Sequence, residues 1–170
     1  LLQFTPGANA SGAAYASFTF RVQDDGGTAS GGVDLDPTAN TITLDVTSVN
    51  DAPAGADTTV TTLEDTDYIF TAADFGFSDV SDSPANNLLA VTISTLPGAG
   101  TLTHNGSAVT LGQSISLADI SGGLLQFTPG ANASGAAYAS FPFRTQDDGR
   151  PANGAGVLDP AANKITLDVT

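Results

Sequence analysis

The side chains of this 170-residue chain best equipped for chemistry are its carboxylates, and their type is uneven. Of 18 acidic residues only Glu64 is glutamate; the rest are aspartate. Short carboxylates on turns are the usual ligands of a hard, oxygen-seeking cation such as Ca²⁺, which gathers about six to eight oxygens. Aspartate also serves turns and solubility, and that plainer role covers part of the set. The candidate oxygen ligands fall in groups: Asn50-Asp51 in "SVNDAP", Asp74, Asp79 and Asp82 in "DFGFSDVSDSPANN", Asp147-Asp148 in "QDDG", Asp24-Asp25 in an earlier "QDDG", and Glu64-Asp65 in "LEDT".

Other chemistries find little support. The single histidine, His104, precedes an Asn-Gly pair and reads as a turn residue; no nucleophile–base–orienter set or phosphate loop accompanies it. Adjacent acids such as Asp24 and Asp25 point apart on a loop, unlike a glycosidase pair. The expectation is that the protein is not an enzyme. Four basic residues against 18 acids give a formal net charge of −14, which disfavours nucleic acid and anionic membrane surfaces as partners. Without cysteine there is no disulfide framework or thiolate metal site. No apolar run approaches membrane-spanning length, so this segment is expected to make no membrane contact. The absence of Met and the start in "LLQFTP" read as an interior stretch of a longer protein, with any export or anchoring signal outside it.

The elements that must position these acids follow from an internal repeat. Residues 1–47 recur at 124–170 with 37 of 47 positions identical, an offset of 123 residues. The chain therefore reads as the C-terminal part of one repeat, 1–47, followed by one complete repeat, 48–170. Within the latter the apolar period is two. Strands are expected at 58–63, 67–72, 88–96, 100–104, 107–111, 124–129, 138–146 and 164–170, with a tight hairpin at Asn105-Gly106. "TAADFGF" and "SLADIS" read as single helical turns. In "ITLDVT", Ile42, Leu44 and Val46 face inward, while Phe18 and Phe20 read as core. The fold class is all-β, an antiparallel β-sandwich of immunoglobulin-like strand order in a tandem array. Residues 1–47 supply too few strands to close a sandwich, so their partners are expected from upstream sequence or another molecule.

Strand counting places Asp147 and Asp148 at the end where the repeat begins, beside their own linker Asn50-Asp51 and the long loop bearing Asp74, Asp79 and Asp82. Crowded carboxylates repel unless a cation binds, so a metal there would join the linker to the domain while Pro53 restricts its backbone. Asp24 and Asp25 occupy the equivalent place in the preceding repeat. Glu64 and Asp65 fall at the far end and would serve the junction beyond Thr170.

These motifs resemble the cadherin-like repeats of giant secreted bacterial adhesins and biofilm-associated surface proteins. "ITLDVTSVNDAP" is similar to a cadherin strand and linker ending Asp-x-Asn-Asp-Asn-x-Pro; "FRVQDDGG" is similar to the Ala-x-Asp-x-Gly element at Asp24 and Asp147; "LEDT" is similar to the early x-Glu-x element at Glu64. Ser48 and Ala52 depart from the linker pattern, and "FTPGANASG" stands where an Asp-Arg-Glu element would, which implies fewer metal ions per junction than in animal cadherins. The resemblance implies a secreted, calcium-rigidified stalk at a bacterial cell surface, whose partners are neighbouring repeats of the same chain.

Two other readings stay open. One is a filament subunit that accepts strands from other copies in a fibre. The other is a calcium-dependent module binding a glycan, which would require an exposed Tyr15, Tyr68 or Tyr138 ring beside a metal. The glycosylation triplets at Asn9, Asn105 and Asn132 are taken as loops.

Overall fold

The computed structural model describes residues 1–149 and 157–170 and divides into two compact units, Leu1–Ser48 and Val49–Thr170. In the first, β1 (Gly12–Phe20) and β2 (Asn40–Val46) pair antiparallel, with Phe18 opposite Ile42 and Phe20 opposite Asn40. A bulge interrupts the register between Gly12 and Ala16. There Ala14 takes φ 52°, and its N–H donates to the Asp45 carboxylate at 2.6 Å. That bond holds an angle that a residue with a Cβ rarely adopts unaided.

The second unit builds two sheets around one core. Its elements are β3 (Thr58–Thr62), β4 (Tyr68–Ile69), β5 (Leu88–Ile93), β6 (Thr101–His104), β7 (Ser107–Ala108), β8 (Ser114–Ser116), α1 (Leu117–Ser121), β9 (Leu125–Thr128), β10 (Gly135–Asp147) and β11 (Asn163–Val169). One sheet has the order β3-β11-β10-β5-β8 and the other β4-β9-β6-β7. Fully buried Phe70, Phe75 and Phe127 meet Phe141, Phe143, Ile165 and Leu167 between them. Edge-on ring contacts join Phe70 to Phe141 at 5.6 Å and Phe75 to Phe143 at 5.0 Å between centroids. Each such side chain contributes about 1.5–3 kcal/mol by leaving water. The unit is thus an all-β sandwich.

Most expected strands are present, and the two helical turns fall at Ala72–Phe75 and Leu117–Ser121. Asn105 and Gly106 both take positive φ, 49° and 73°, the two-residue hairpin their pairing suggests. Two features depart from the sequence reading. β3 pairs parallel, not antiparallel, with β11, Val60 lying opposite Leu167; the first and last strands point the same way, so the unit enters at one end and leaves at the other, as the strand counting expects. Alternation within a strand carries no information on its neighbour's direction. The short β8 was not anticipated, since Ile115 is the one apolar residue in its three.

β10 carries the site. Its alternate side chains Ala139, Phe141, Phe143, Thr145 and Asp147 are all buried. The inward face of one strand therefore runs out of the hydrophobic core and ends on a carboxylate.

Candidate metal centre

The linker residues are drawn onto this end of the sandwich by backbone bonds. Ala54 and Ser78 exchange two of them, each 2.8 Å, and the Ala56 N–H donates to the Phe75 carbonyl at 3.2 Å. Asp159, 3% exposed, accepts from the Gly55 N–H at 2.7 Å and from the Asn163 amide at 2.6 Å. Pro53 is buried. This zipper sets Asn50 and Asp51 against the loop bearing Asp79, Asp82 and Asn86.

Five side chains and the backbone of Asp51 then form one network. Both Asp82 oxygens accept from the Asp51 N–H, at 3.2 and 3.1 Å. The Asn86 amide donates to Asp82 Oδ2 at 3.0 Å and to Asn50 Oδ1 at 2.6 Å. The Asn50 amide donates to the Asp51 carbonyl at 2.8 Å and, weakly, to Asp147 Oδ2 at 3.4 Å. Asp79 is 7% exposed; its Oδ2 accepts from the Asn86 N–H at 2.8 Å, while its Oδ1 is buried with no hydrogen-bond partner among the described residues. Asp147, 0% exposed, accepts from the Gly149 N–H at 2.9 Å through Oδ1. A methyl group on Gly149 would overlap the side-chain ends of Asn50 and Asn86, so a larger residue there would displace both amides from the network.

The electrostatics are those of a site short of positive charge. Burial raises the pKa of Asp147, and the charges of Asp79 and Asp82 add to it, against the opposing bonds from Gly149 and Asn50. Burial likewise raises that of Asp82, offset by the Asp51 N–H and reinforced by Asp79 and Asp51. Among the described residues no three acidic side chains are already gathered as a metal cage. The carboxamides of Asn50 and Asn86 are threaded among them, offering N–H donors to carboxylates. A carboxamide turned over presents its oxygen instead.

The donors suit a hard cation. Asp79, Asp82 and Asp147 with the amide oxygens of Asn50 and Asn86 make an all-oxygen set, and the orphaned Oδ1 of Asp79 has the lone pairs that a cation would take.

The other expected site residues lie elsewhere. Asp74 closes the 3-10 turn at Ala72–Phe75, accepting from the Thr71 N–H at 2.7 Å and the Tyr68 hydroxyl at 3.2 Å. Burial and the Asp74 charge push the Tyr68 hydroxyl up to about 12. Asp148 is exposed; its carboxylate accepts from the Asn87 N–H at 2.7 Å and side-chain amide at 3.2 Å, which lower its pKa. Glu64 and Asp65 occupy the β3–β4 turn at the opposite end of β3, where the Glu64 N–H donates to the Thr170 carbonyl at 2.9 Å and Asp65 accepts from the Asn132 N–H at 2.8 Å. In the first unit Asp24 is exposed and caps its own turn through the Gly26 N–H at 2.8 Å, and Asp25 is exposed beside it.

Sequence reasoning missed Asn86, Gly149 and Asp159. Asn86 stood in a stretch read only for its acids, although an amide oxygen serves a hard cation as well. His104 closes β6, with Nδ1 3.1 Å from the Gln113 amide and Nε2 3.2 Å from Asp119 Oδ2. Among the described residues no helix is long and apolar enough to cross a membrane. Comparison of the chain with protein-family models, curated proteins and solved structures finds no match in any of the three.

Proposed function

We propose that Val49–Thr170 is a cadherin-like extracellular repeat that binds Ca²⁺ at its linker end, and that such repeats in tandem form the stiffened stalk of a secreted bacterial surface adhesin. The observation that carries this reading is the buried Asp79 Oδ1, without a hydrogen-bond partner among the described residues, in one cluster with fully buried Asp147, whose carboxylate accepts from the Asn50 amide of the linker pair. Asp79, Asp82 and Asp147 would hold the ion, with Asn50 and Asn86 contributing amide oxygens. When bound, the ion supplies the positive charge this cluster lacks. The chain's own part is to fix Asn50 and Asp51: the Ala54–Ser78 bridge and the Asp159–Gly55 bond hold the linker in place, so neutralising the acids stiffens the segment between repeats. The parallel β3–β11 pair supports a stalk, because entry and exit at opposite ends let repeats follow one another head to tail. The near-identity of residues 1–47 and 124–170 supports an array rather than a set of different activities.

The test is a calcium titration of the full chain by calorimetry and thermal melting, against chelator and against Asp79→Asn. Saturable binding is expected, with a stabilisation of about 2.7 kcal/mol at a hundredfold excess over Kd, on the order of 10 °C for a unit this size. Asp79→Asn should lose that response while melting no lower than wild type in chelator, since it removes an unpaired buried charge. Absence of heat and of any melting shift at millimolar Ca²⁺ would sink the reading.

A further inference from the structure

We infer that the apolar face of β1, β2 and residues 2–4 is an acceptor for a polypeptide stretch with the strand pattern of residues 49–123. The chain carries its own control, because residues 1–18 and 124–141 are identical in sequence. In the second unit Leu125, Phe127, Phe141 and Ile165 are 0% exposed; their counterparts Leu2, Phe4, Phe18 and Ile42 are 83%, 42%, 38% and 41% exposed. Leu2, Phe4, Phe18, Ile42 and Leu44 line an open apolar hollow of about 370 Å³.

What fills the equivalent space in the second unit is visible. β3 lies along the edge of β11, β5 along the edge of β10, and β4 and β6 flank β9. Phe70 and Phe75 close over Phe141 and Phe143. All these covering elements lie within residues 49–123. Their effect reaches the backbone: residues 125–128 form a strand, whereas the identical residues 2–5 form none. β10 continues past Phe143 to Asp147, opposite β5, while β1 stops at the equivalent Phe20. The β1–β2 register matches that of β10–β11 position for position, so that pair is already in place and only residues 2–5 and the end of β1 have to take up strand structure. The occupant is therefore a segment that lays a parallel strand along β2 and an antiparallel strand along β1, and plugs the hollow with two phenylalanines. This stands apart from metal binding.

A direct test extends the full chain with a second copy of residues 49–123 joined ahead of Leu1, which recreates the Gly123–Leu124 junction because Leu1 corresponds to Leu124. Hydrogen exchange, binding of an apolar dye and sedimentation are read in chelator, so that failure of the calcium reading leaves the result untouched. Amides of residues 2–5, 12–20 and 40–46 should exchange about a hundredfold more slowly or better, the dye should be lost, and the protein should sediment as a monomer. Phe18→Asp with Ile42→Asp in the extended chain should abolish all three changes. Unchanged exchange at β1 and β2, or protection that survives those two substitutions, overturns the proposal. So does a parent chain that is already a dye-silent dimer, since its face would then be covered by a second copy.

Discussion

Among the described residues, Asp79 Oδ1 and Thr145 Oγ1 are both buried without a hydrogen-bond partner, and their neighbourhoods give them different meanings. Asp79 sits among other oxygens at the linker, where a cation would satisfy it. Thr145 lies one inward step before Asp147 on β10, opposite Val91, and its hydroxyl is stranded at the edge of the core. The equivalent position in the first unit is Val22, nearly the same shape without the hydroxyl. Desolvating an unpaired hydroxyl costs about 1–3 kcal/mol. Thr145→Val should therefore raise stability by about 1 kcal/mol, seen as a higher urea midpoint at unchanged slope. A lower midpoint would mean that the hydroxyl has a partner the structure does not record. The expected strand 138–146 places Phe141, Phe143 and Thr145 at alternate positions, and only Asp147, read as part of the "QDDG" loop, falls outside it.

At the scale of elements, β10 and the linker zipper together make a pH-sensitive end. Asp82 and Asp147 bind their protons more tightly folded than unfolded, their pKa values being raised above 3.8. The contribution of such groups is fully present below 3.8 and is lost as pH rises through the raised values. Asp148 has the opposite sign: its value lies below 3.8, so its contribution is present above that pH and fades beneath it. The two effects occupy different windows. In chelator, stability should fall as pH climbs from about 4 toward neutrality, with a shallower slope in Asp147→Asn; a saturating cation should flatten the wild-type slope. Melting curves across that range, with an equal slope in wild type and variant, would deny Asp147 the role. Much of this element level was legible: strands by alternation, the hairpin by Asn-Gly, and the helical turns in "TAADFGF" and "SLADIS". The approach of the linker to Asp82 was not. It depends on backbone bonds such as Ala54 to Ser78, which any sequence can make and none advertises.

Over the whole molecule, identical sequence gives the same geometry at the bulges and turns but not the same burial. Ala14 and Ala137 take φ 52° and 48°, and each N–H is held by an aspartate of the paired strand, Asp45 and Asp168, at 2.6 and 2.7 Å. Tyr15 and Tyr138 each accept from a glycine N–H eight residues earlier. Those features are written in the local sequence, whereas core and site are written in residues up to about a hundred positions away, such as Asn50 against Asp147. The formal charge of −14 also acts at this scale, because any cation screens so one-signed a surface. A specific site is separable from that general effect by salt. The Debye length shrinks from about 10 Å at 0.1 M to about 3 Å at 1 M, which removes most surface repulsion but leaves a buried carboxylate cluster little changed. Adding NaCl in chelator should therefore raise the melting temperature, and Ca²⁺ should add most of its low-salt increment on top at 0.5 M NaCl, with Mg²⁺ adding much less because it dehydrates reluctantly. If the calcium increment instead disappears at high salt, or magnesium matches it, Ca²⁺ is acting as a counter-ion to the whole surface, and Asp79, Asp82 and Asp147 are a strained cluster without a resident metal.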